Sequence, residues 1–424
     1  MRFQVERTEE PLVARGGLVV VYEMAEALGI PRAVDRELPP PGSGRGYRPS
    51  QFVMPMLLML HGGGRKLEDL REVEAEVSLR ELLGMKSLPA SCTMGDWLRR
   101  TGQDPRGLWG LGRVNNEVLR KVLEQDSRQE YTLDTDATII ESEKEDAQWT
   151  YKKEKGYQPL LGFLFEKGLV LHDEFRDGNV PAGAGAVEFL KACRQRMPRG
   201  KRIGYLRSDS AFYQAGVINW CEDKDDRVLF TITADQDKAV KEVIKGIGGW
   251  RPWKGDREIG ETVHTMNGTR QAFRLVVQRW PKRQLELFDP DPYEYHAIAT
   301  NREESAEEVV DLHNQRGEVE NYIKEVKTGF GMEWMPCGET HANAVFFRLG
   351  VLACNLFQAL KILGLPSEWR SRTIETVRWR LYQVACRVVH HSRRVVLKMA
   401  AALEKVALIR QVRRRCAELA YSTS

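Results

Sequence analysis

Two carboxylates stand two positions apart in the stretch TLDTDATII, residues 132–140. They are Asp134 and Asp136, and the residues around them are those of a buried strand. A strand alternates faces with period two, so both acids point the same way. Aspartate is a poor strand former, and an unpaired buried charge is costly. Two acids on one face of a core strand therefore call for a reason other than packing. A third aspartate, Asp209, closes the apolar run of RIGYLRSDSAFY (202–213). Carboxylates on two strands of one sheet suit a divalent cation such as Mg²⁺, which prefers hard oxygen ligands.

A further acid is expected from a helix over that sheet. The candidates lie in DLHNQRGEVENYIKEVKTGFG (311–331): Glu318, Glu320 and Glu325. A helix turns by about 100° per residue, which gathers His313, Arg316, Glu320, Lys324 and Lys327 on one face about 80° wide. Leu312, Val319, Ile323 and Val326 form the packing stripe beside it. Glu318 and Glu325 fall on the opposite flank. An ion-paired, solvated helix face gives the same pattern, so geometry alone leaves both readings open.

The elements that must hold these residues follow from pattern. Residues 1–125 carry apolar residues at helical spacing in GLVVVYEMAEALGI, PSQFVMPMLLMLHGG and KLEDLREVEAEVSLRELLG. PASCTMGDWLRRTG (89–102) starts a further helix and presents Arg99 and Arg100, as a small helix-turn-helix would. PPPGSGRGYRP is a loop among them. Residues 126–235 alternate strands and helices, which predicts a mixed α/β sheet. Within them PLLGFLFEKGLVLHDEFRDGN (159–179) reads as two strands joined at Glu-Lys-Gly. Residues 236–292 are rich in Trp, Gly and β-type runs and predict a mostly β insertion. Residues 293–335 supply a last strand and a helix over 305–328, with Ser305 and Glu308 as a capping box. Residues 336–424 read as helical and basic.

Composition excludes some classes. The chain has 424 residues and a net charge of only +4, yet Lys361 to Glu418 holds 14 Lys and Arg against 4 Asp and Glu. That concentration predicts a polyanionic partner. The seven cysteines are scattered and odd in number, so neither a zinc site nor a disulfide framework is indicated. No signal-like segment opens the sequence, and the apolar run VFFRLGVLACNLFQAL (345–360) is interrupted by Arg348 and Asn355. A buried helix in a cytoplasmic protein is the expectation, with no membrane span. No Walker-type GxxxxGKS/T is present, so ATP is not expected.

The pattern His313-x-x-Arg316-x-x-x-Glu320 followed by Lys327 resembles the Y-(2)-R-(3)-E-(6)-K signature of DDE transposases from bacterial insertion sequences. His313 stands where that signature has tyrosine. LDTDAT, KGYQPLLGF, RDGN, RSDSAFY and RGEVENYIKEVKTGFG resemble the insertion sequence 1380 family, in the Y-R-E-K group related to the insertion sequence 4 type. The likeness runs from about residue 15 to 415.

The resemblance implies an RNase H-like α/β catalytic core with a mostly β insertion, flanked by helical regions. It implies that Asp136, Asp209 and Glu320 bind two Mg²⁺ or Mn²⁺ ions. Asp134 is then an outer-shell carboxylate, or lies nearer a solvated strand end, or is itself the first ligand in place of Asp136. His313, Arg316, Lys324 and Lys327 are expected at DNA phosphates. Trp250, Trp253 and Trp280 are candidates for base stacking, against packing in the insertion's own core. The implied partners are double-stranded DNA, as inverted-repeat ends and target, and a second copy of the chain in a homodimer. Two other classes compete. One is a glycosidase with two carboxylates and no metal, which the Arg and Lys beside Glu320 disfavour. The other is a catalytically inactive DNA-binding protein descended from a transposase.

Overall fold

The computed structural model describes residues 4–6, 8–42, 44, 46–284, 291–392 and 394–422. The chain forms two compact units. One comprises residues 126–139 and 158–323, and the other 1–125, 140–157 and 324–424.

The first unit is built on a nine-stranded mixed sheet. In chain order its strands are β1 (Glu130–Ala137), β2 (Leu160–Leu164), β3 (Leu169–Glu174), β4 (Arg202–Ser208), β5 (Leu229–Thr233), β6 (Arg251–Pro252), β7 (Glu258–His264), β8 (Phe273–Pro281) and β9 (Tyr293–Thr300). Their order across the sheet is β6-β7-β8-β9-β5-β4-β1-β2-β3. β1, β2 and β3 are antiparallel, β1, β4 and β5 are parallel, and β9 returns antiparallel to β5. The β-rich stretch expected as an insertion thus extends the core sheet edge to edge.

Helices cover both faces. α1 (Ala186–Arg196) packs on β3 and beside Gly162 of β2. A Cβ on Gly162 would lie 3.2 Å from side-chain atoms of Phe189, Cys193 and Leu133, so a larger residue there would require these side chains to give by a few tenths of an ångström. α2 (Ala215–Cys221) and α3 (Lys238–Lys245) follow β4 and β5 in sequence. α4 (Ala306–Asn314) starts at the expected cap: Ser305 Oγ accepts from Glu308 N, and the Glu308 carboxylate accepts from Ser305 N at 3.0 Å. Its buried residues Ala306, Val309, Val310 and His313 recur at helical spacing, and the first three pack on Ile259, Val276 and Ile298 of the sheet.

The single helix expected over 305–328 is broken. α4 stops at Asn314, and α5 (Gly317–Lys324) begins after a tight turn. There Arg316, Glu318 and Val319 donate their N–H groups to His313, Gln315 and Arg316, three residues back rather than four. This closer winding replaces the regular helical step between His313 and Arg316. Gly317 beside it weakens the helix where it restarts.

The second unit is mainly helical. Its elements include Val19–Ala27, Pro49–Gly62, Ser91–Gln103, Pro105–Glu124 and Thr340–Ala359. The last continues to Gly364 and is apolar enough by composition to cross a bilayer, but 89% of that window is buried within the protein. The KLEDL…LLG segment is two short helices, Leu70–Ala75 and Val77–Leu82, parted at Glu76. The C-terminal region is not helical throughout, contrary to expectation. Cys386–His391 and Arg394–Met399 pair as an antiparallel hairpin before the helix Leu403–Ser422. Valines at 388, 389, 395 and 396 explain it, because β-branched side chains favour the pleated surface. The PPPGSGRGYRP loop lies partly outside the described residues.

Candidate active site

Strand register sets the first two acids. Along the parallel β1–β4 pair, Asp134 faces Arg207 and Thr135 faces Ser208, so Asp136 and Asp209 come next in step. Asp209 is the first residue beyond β4, and its carboxylate caps the following turn by accepting from Ala211 N at 3.1 Å. Both acids reach one guanidinium. Arg316 Nη2 lies 3.2 Å from Asp136 and 3.7 Å from Asp209. The two carboxylates are therefore within about 7 Å of each other, a span that one or two ions with ligand distances near 2 Å would bridge.

Glu320 is exposed on α5, one turn beyond Arg316, and its charge is felt at Asp136. Burial pushes the Asp136 carboxyl up to about 6. Arg316 opposes that rise, while Asp209 and Glu320 add to it. Negative charge thus exceeds positive in the cluster. Among the described residues, no three His, Cys, Asp or Glu side chains are gathered closely enough to hold an ion. The donor chemistry nonetheless fits Mg²⁺ or Mn²⁺: two aspartates and a glutamate offer hard oxygens only, on a site short of cations. Arg316 Nε is buried without a hydrogen-bond partner, so this guanidinium still has a donor to spend.

Asp134 does not lie near a solvated strand end. It is fully buried, and Arg207 grips it with Nε and Nη2, each at 2.7 Å. The Arg207 Nη1 donates to Leu312 O at 2.9 Å and to Gln315 Oε1 at 3.3 Å. Its guanidinium also lies 4.1 Å from the Phe165 ring centre. Asp134 therefore anchors the arginine that pins the end of α4, just before the turn carrying Arg316. Sequence reasoning missed Arg207. Its signal is the cross-strand register, which a single sequence does not reveal.

His313 also departs from expectation. It is buried, with Nδ1 3.1 Å from Thr231 Oγ1 and Nε2 3.0 Å from Thr233 Oγ1. Burial, with His296 and nearby arginines, pulls its pKa down to about 3, so the ring is neutral. Both nitrogens are occupied, which leaves none for a DNA phosphate. Its place on the α4 stripe with Ala306, Val309 and Val310 was the available signal. Lys324 is exposed at the end of α5, and Lys327 is half-buried in the π-helical turn Glu325–Gly329. Both belong to the helical unit.

The three tryptophans of the sheet extension are already engaged. Arg279 lies 4.2 Å from the ring centres of both Trp250 and Tyr293. Trp253 packs on the core that holds α4. Trp280 takes Arg257 on its face at 4.8 Å and donates its indole N–H to Glu294 at 2.8 Å. Of the basic residues read from the sequence, Arg99 pairs with Glu339 at 3.0 Å and Arg413 with Glu23 at 2.7 Å. Arg415 caps the carbonyls of Gly364 and Leu365.

No curated protein matches this chain. Among solved structures it is similar to the piggyBac transposase synaptic complex with hairpin DNA, determined by cryo-electron microscopy. That match has 11% identity and a TM-score of 0.49, covering 86% of this chain and 79% of the other. The model of one family, Transposase DDE domain group 1, matches residues 2–421. This chain, with its paired aspartates on adjacent core strands, belongs to that transposase family.

Proposed function

We propose that this protein is a DNA transposase that cuts at the ends of its element and joins the freed ends to target DNA. The observation that carries this reading is Arg316 shared between register-matched Asp136 and Asp209, in a chain the family model covers almost end to end. We read β3-β2-β1-β4-β5 as an RNase H-like core. DDE transposases are generally dependent on divalent metal, and Asp136, Asp209 and Glu320 are the residues that would hold it here. When bound, such ions activate an oxygen nucleophile and neutralise the oxygen that leaves.

The chain's own groups do the rest. Asp136 and Asp209 present fixed anionic oxygens from adjacent strands, and Glu320 adds one from α5. Arg316 exchanges its carboxylate partners for a backbone phosphate of the DNA, a ligand that suits its planar fork. Lys324 and Lys327 extend phosphate contact along the same chain segment. Water attacks the phosphodiester at the element end, leaving a 3′-hydroxyl on the element and a 5′-phosphate on the flanking strand. That hydroxyl then attacks a phosphodiester of the target and displaces the target strand's 3′-oxygen. The first step is a hydrolysis and the second exchanges one phosphodiester for another, so neither consumes ATP. The resemblance supports an insertion-sequence element of the 1380 type, acting in the cytoplasm as a homodimer that brings two ends together.

The test is Mg²⁺-dependent cleavage of a labelled duplex carrying the element's end, with a gel shift on the same DNA. Asp209→Asn is expected to lose cleavage and keep end binding. Normal cleavage by that variant overturns the assignment. End binding without cleavage by the unaltered protein, in Mg²⁺ and in Mn²⁺, favours the non-catalytic DNA-binding descendant instead.

A further inference from the structure

β1 does not turn directly into β2. Four residues beyond Asp136 the chain enters a three-stranded sheet of Ile140–Glu141, Gln148–Trp149 and Lys155–Tyr157, with the last in the middle. This small sheet belongs to the helical unit and is anchored there. Asp146 accepts from Thr340 N at 3.0 Å, and Lys144 Nζ donates to Pro336 O at 3.3 Å. Its other end is a tight turn. Thr150 N donates to Glu154 O at 2.8 Å, and Lys153 N donates to Thr150 O at 3.0 Å.

That turn combines three features. Trp149 and Tyr151 are 66% and 72% exposed, whereas the tryptophans of the sheet extension are partly buried and engaged. Lys152 and Lys153 are exposed beside them, with the Lys152 ammonium 6.0 Å from the Tyr151 ring centre. Lys153 has φ 63°, and among the described residues it is the only non-glycine with positive φ. A Cβ makes that conformation costly and glycine would relieve it, yet a lysine stands there. Lys327 is close enough for the Lys152 charge to act on it. The acids Glu143, Glu145 and Asp146 lie in the other loop of the small sheet, so the turn itself is aromatic and cationic apart from Glu154.

We propose that the Trp149–Lys153 turn binds unpaired nucleotides of a DNA strand. Aromatic faces take up bases whose own faces are free, and ammonium groups take up the phosphates between them. Bases within a duplex are stacked on their neighbours, so the two rings distinguish unpaired from paired DNA. The inference rests on the DNA-processing reading above but on no cleavage step.

Full-length protein is titrated with two fluorescent probes, a blunt duplex and the same duplex ending in several unpaired nucleotides, and binding is read by anisotropy. The unaltered protein should bind the second probe more tightly. Trp149→Ala with Tyr151→Ala should weaken binding of that probe about tenfold or more, and change the blunt probe less than about twofold. Trp149→Phe keeps a ring and should retain most of the preference, which separates stacking from folding. Lys152→Gln with Lys153→Gln should flatten the dependence of log K on log salt by about 0.7 for each phosphate no longer neutralised. Unchanged affinity of the double alanine variant for the overhang probe overturns the proposal, and so does an equal weakening on both probes. Either result assigns the exposed rings to something other than DNA, such as a protein partner. Failure of the catalytic reading shows instead as normal cleavage by Asp209→Asn, which these probes do not report.

Discussion

Asp134 and Asp136 share one face of β1, two residues apart, and each has an arginine beside it, but the two sites are built for different ends. Asp134 is closed off. Its partner Arg207 comes from the neighbouring strand, grips both carboxylate oxygens, and spends a third nitrogen on Leu312 O and Gln315. Asp136 is open. Its side chain keeps 19% exposure, and its partner Arg316 reaches it through one nitrogen, shares itself with Asp209 and retains an unused buried Nε. Arg316 also comes from a turn between two helices rather than from a strand. A buried acid is therefore not by itself a ligand. What separates the two is whether the partner's donors are all spent and whether a strand or a turn between helices holds the partner.

Substitution by asparagine separates the two acids most clearly. Asp136→Asn should reduce cleavage by about a thousandfold or more, since the metal-assisted term is several kcal/mol. It should not harm the fold. The folded pKa of Asp136 is about 6 against an ordinary 3.8, so its ionisation costs stability as pH rises through 6. The variant should melt no lower than the parent at pH 8. Below 3.8 both carry a neutral group there, and the melting points should converge. Asp134→Asn should do the reverse. Burial pushes that carboxyl up to about 6 too, but its removal strands a buried guanidinium, and that penalty dominates. Breaking such a pair costs about 3–5 kcal/mol, measurable by urea unfolding. Equal destabilisation at the two positions would erase the difference between a closed and an open acid.

The sequence named Asp136, Asp209 and Arg316, which the structure brings together, but not the partner that closes Asp134. Asp136, Asp209, Glu320 and Arg316 carry motif spacing, and the strands around them alternate plainly enough to be found. Asp134 was visible as an anomaly, but its explanation lies in register. Nothing in RIGYLRS alone says that Arg207 falls opposite Asp134. The helix break at Gln315 and Arg316 was equally hidden, because a straight helical wheel through 313–327 assumes the 100° step that the turn abandons. Arg316 lies in the turn itself and Glu320 on the helix that follows it. His313 lies before the turn and goes to the core. The hairpin at 386–399 shows the remaining weakness: arginine-rich text reads as a helix until the paired valines are weighed.

Smaller effects are expected at residues around the two sites. Lys327→Ala should slow cleavage about a hundredfold while leaving Mg²⁺ binding intact, the scale of a small misplacement of the reacting phosphate. Single-turnover rates against metal titration would separate the two. A weaker effect is expected at His313, which packs beside the closed site. Its folded pKa of about 3 lies below the ordinary 6.5, so only the unfolded chain takes up the proton between those values. Its contribution is intact above pH 6.5 and is lost as pH falls toward 3, by at most about 1.4 kcal/mol per pH unit. His61, buried in the helical unit with a pKa of about 3, acts in the same sense. His313→Gln should flatten, not abolish, the acid limb of a plot of stability against pH.

The smallest effect expected is none at all, and it tests the face of α5. Glu318 and Glu320 are two residues apart on the same short helix, both exposed. A step of two residues turns the helix by about 200°, so the pair cannot serve one site. The charge of Glu320 is felt at Asp136, whereas the charge of Glu318 acts on Tyr322, one turn along on its own side. Tyr322 in turn donates its hydroxyl to Phe165 O at 2.9 Å. This ties the Glu318 flank to the closed Asp134–Arg207 site, whose guanidinium lies on the Phe165 ring. Glu318→Gln should therefore leave cleavage within about twofold, as surface changes away from special features usually do. Glu320→Gln should lose it as Asp136→Asn does. Cleavage measured on the same end duplex would reveal the opposite ranking, and that result would move the third acid to the other side of the helix.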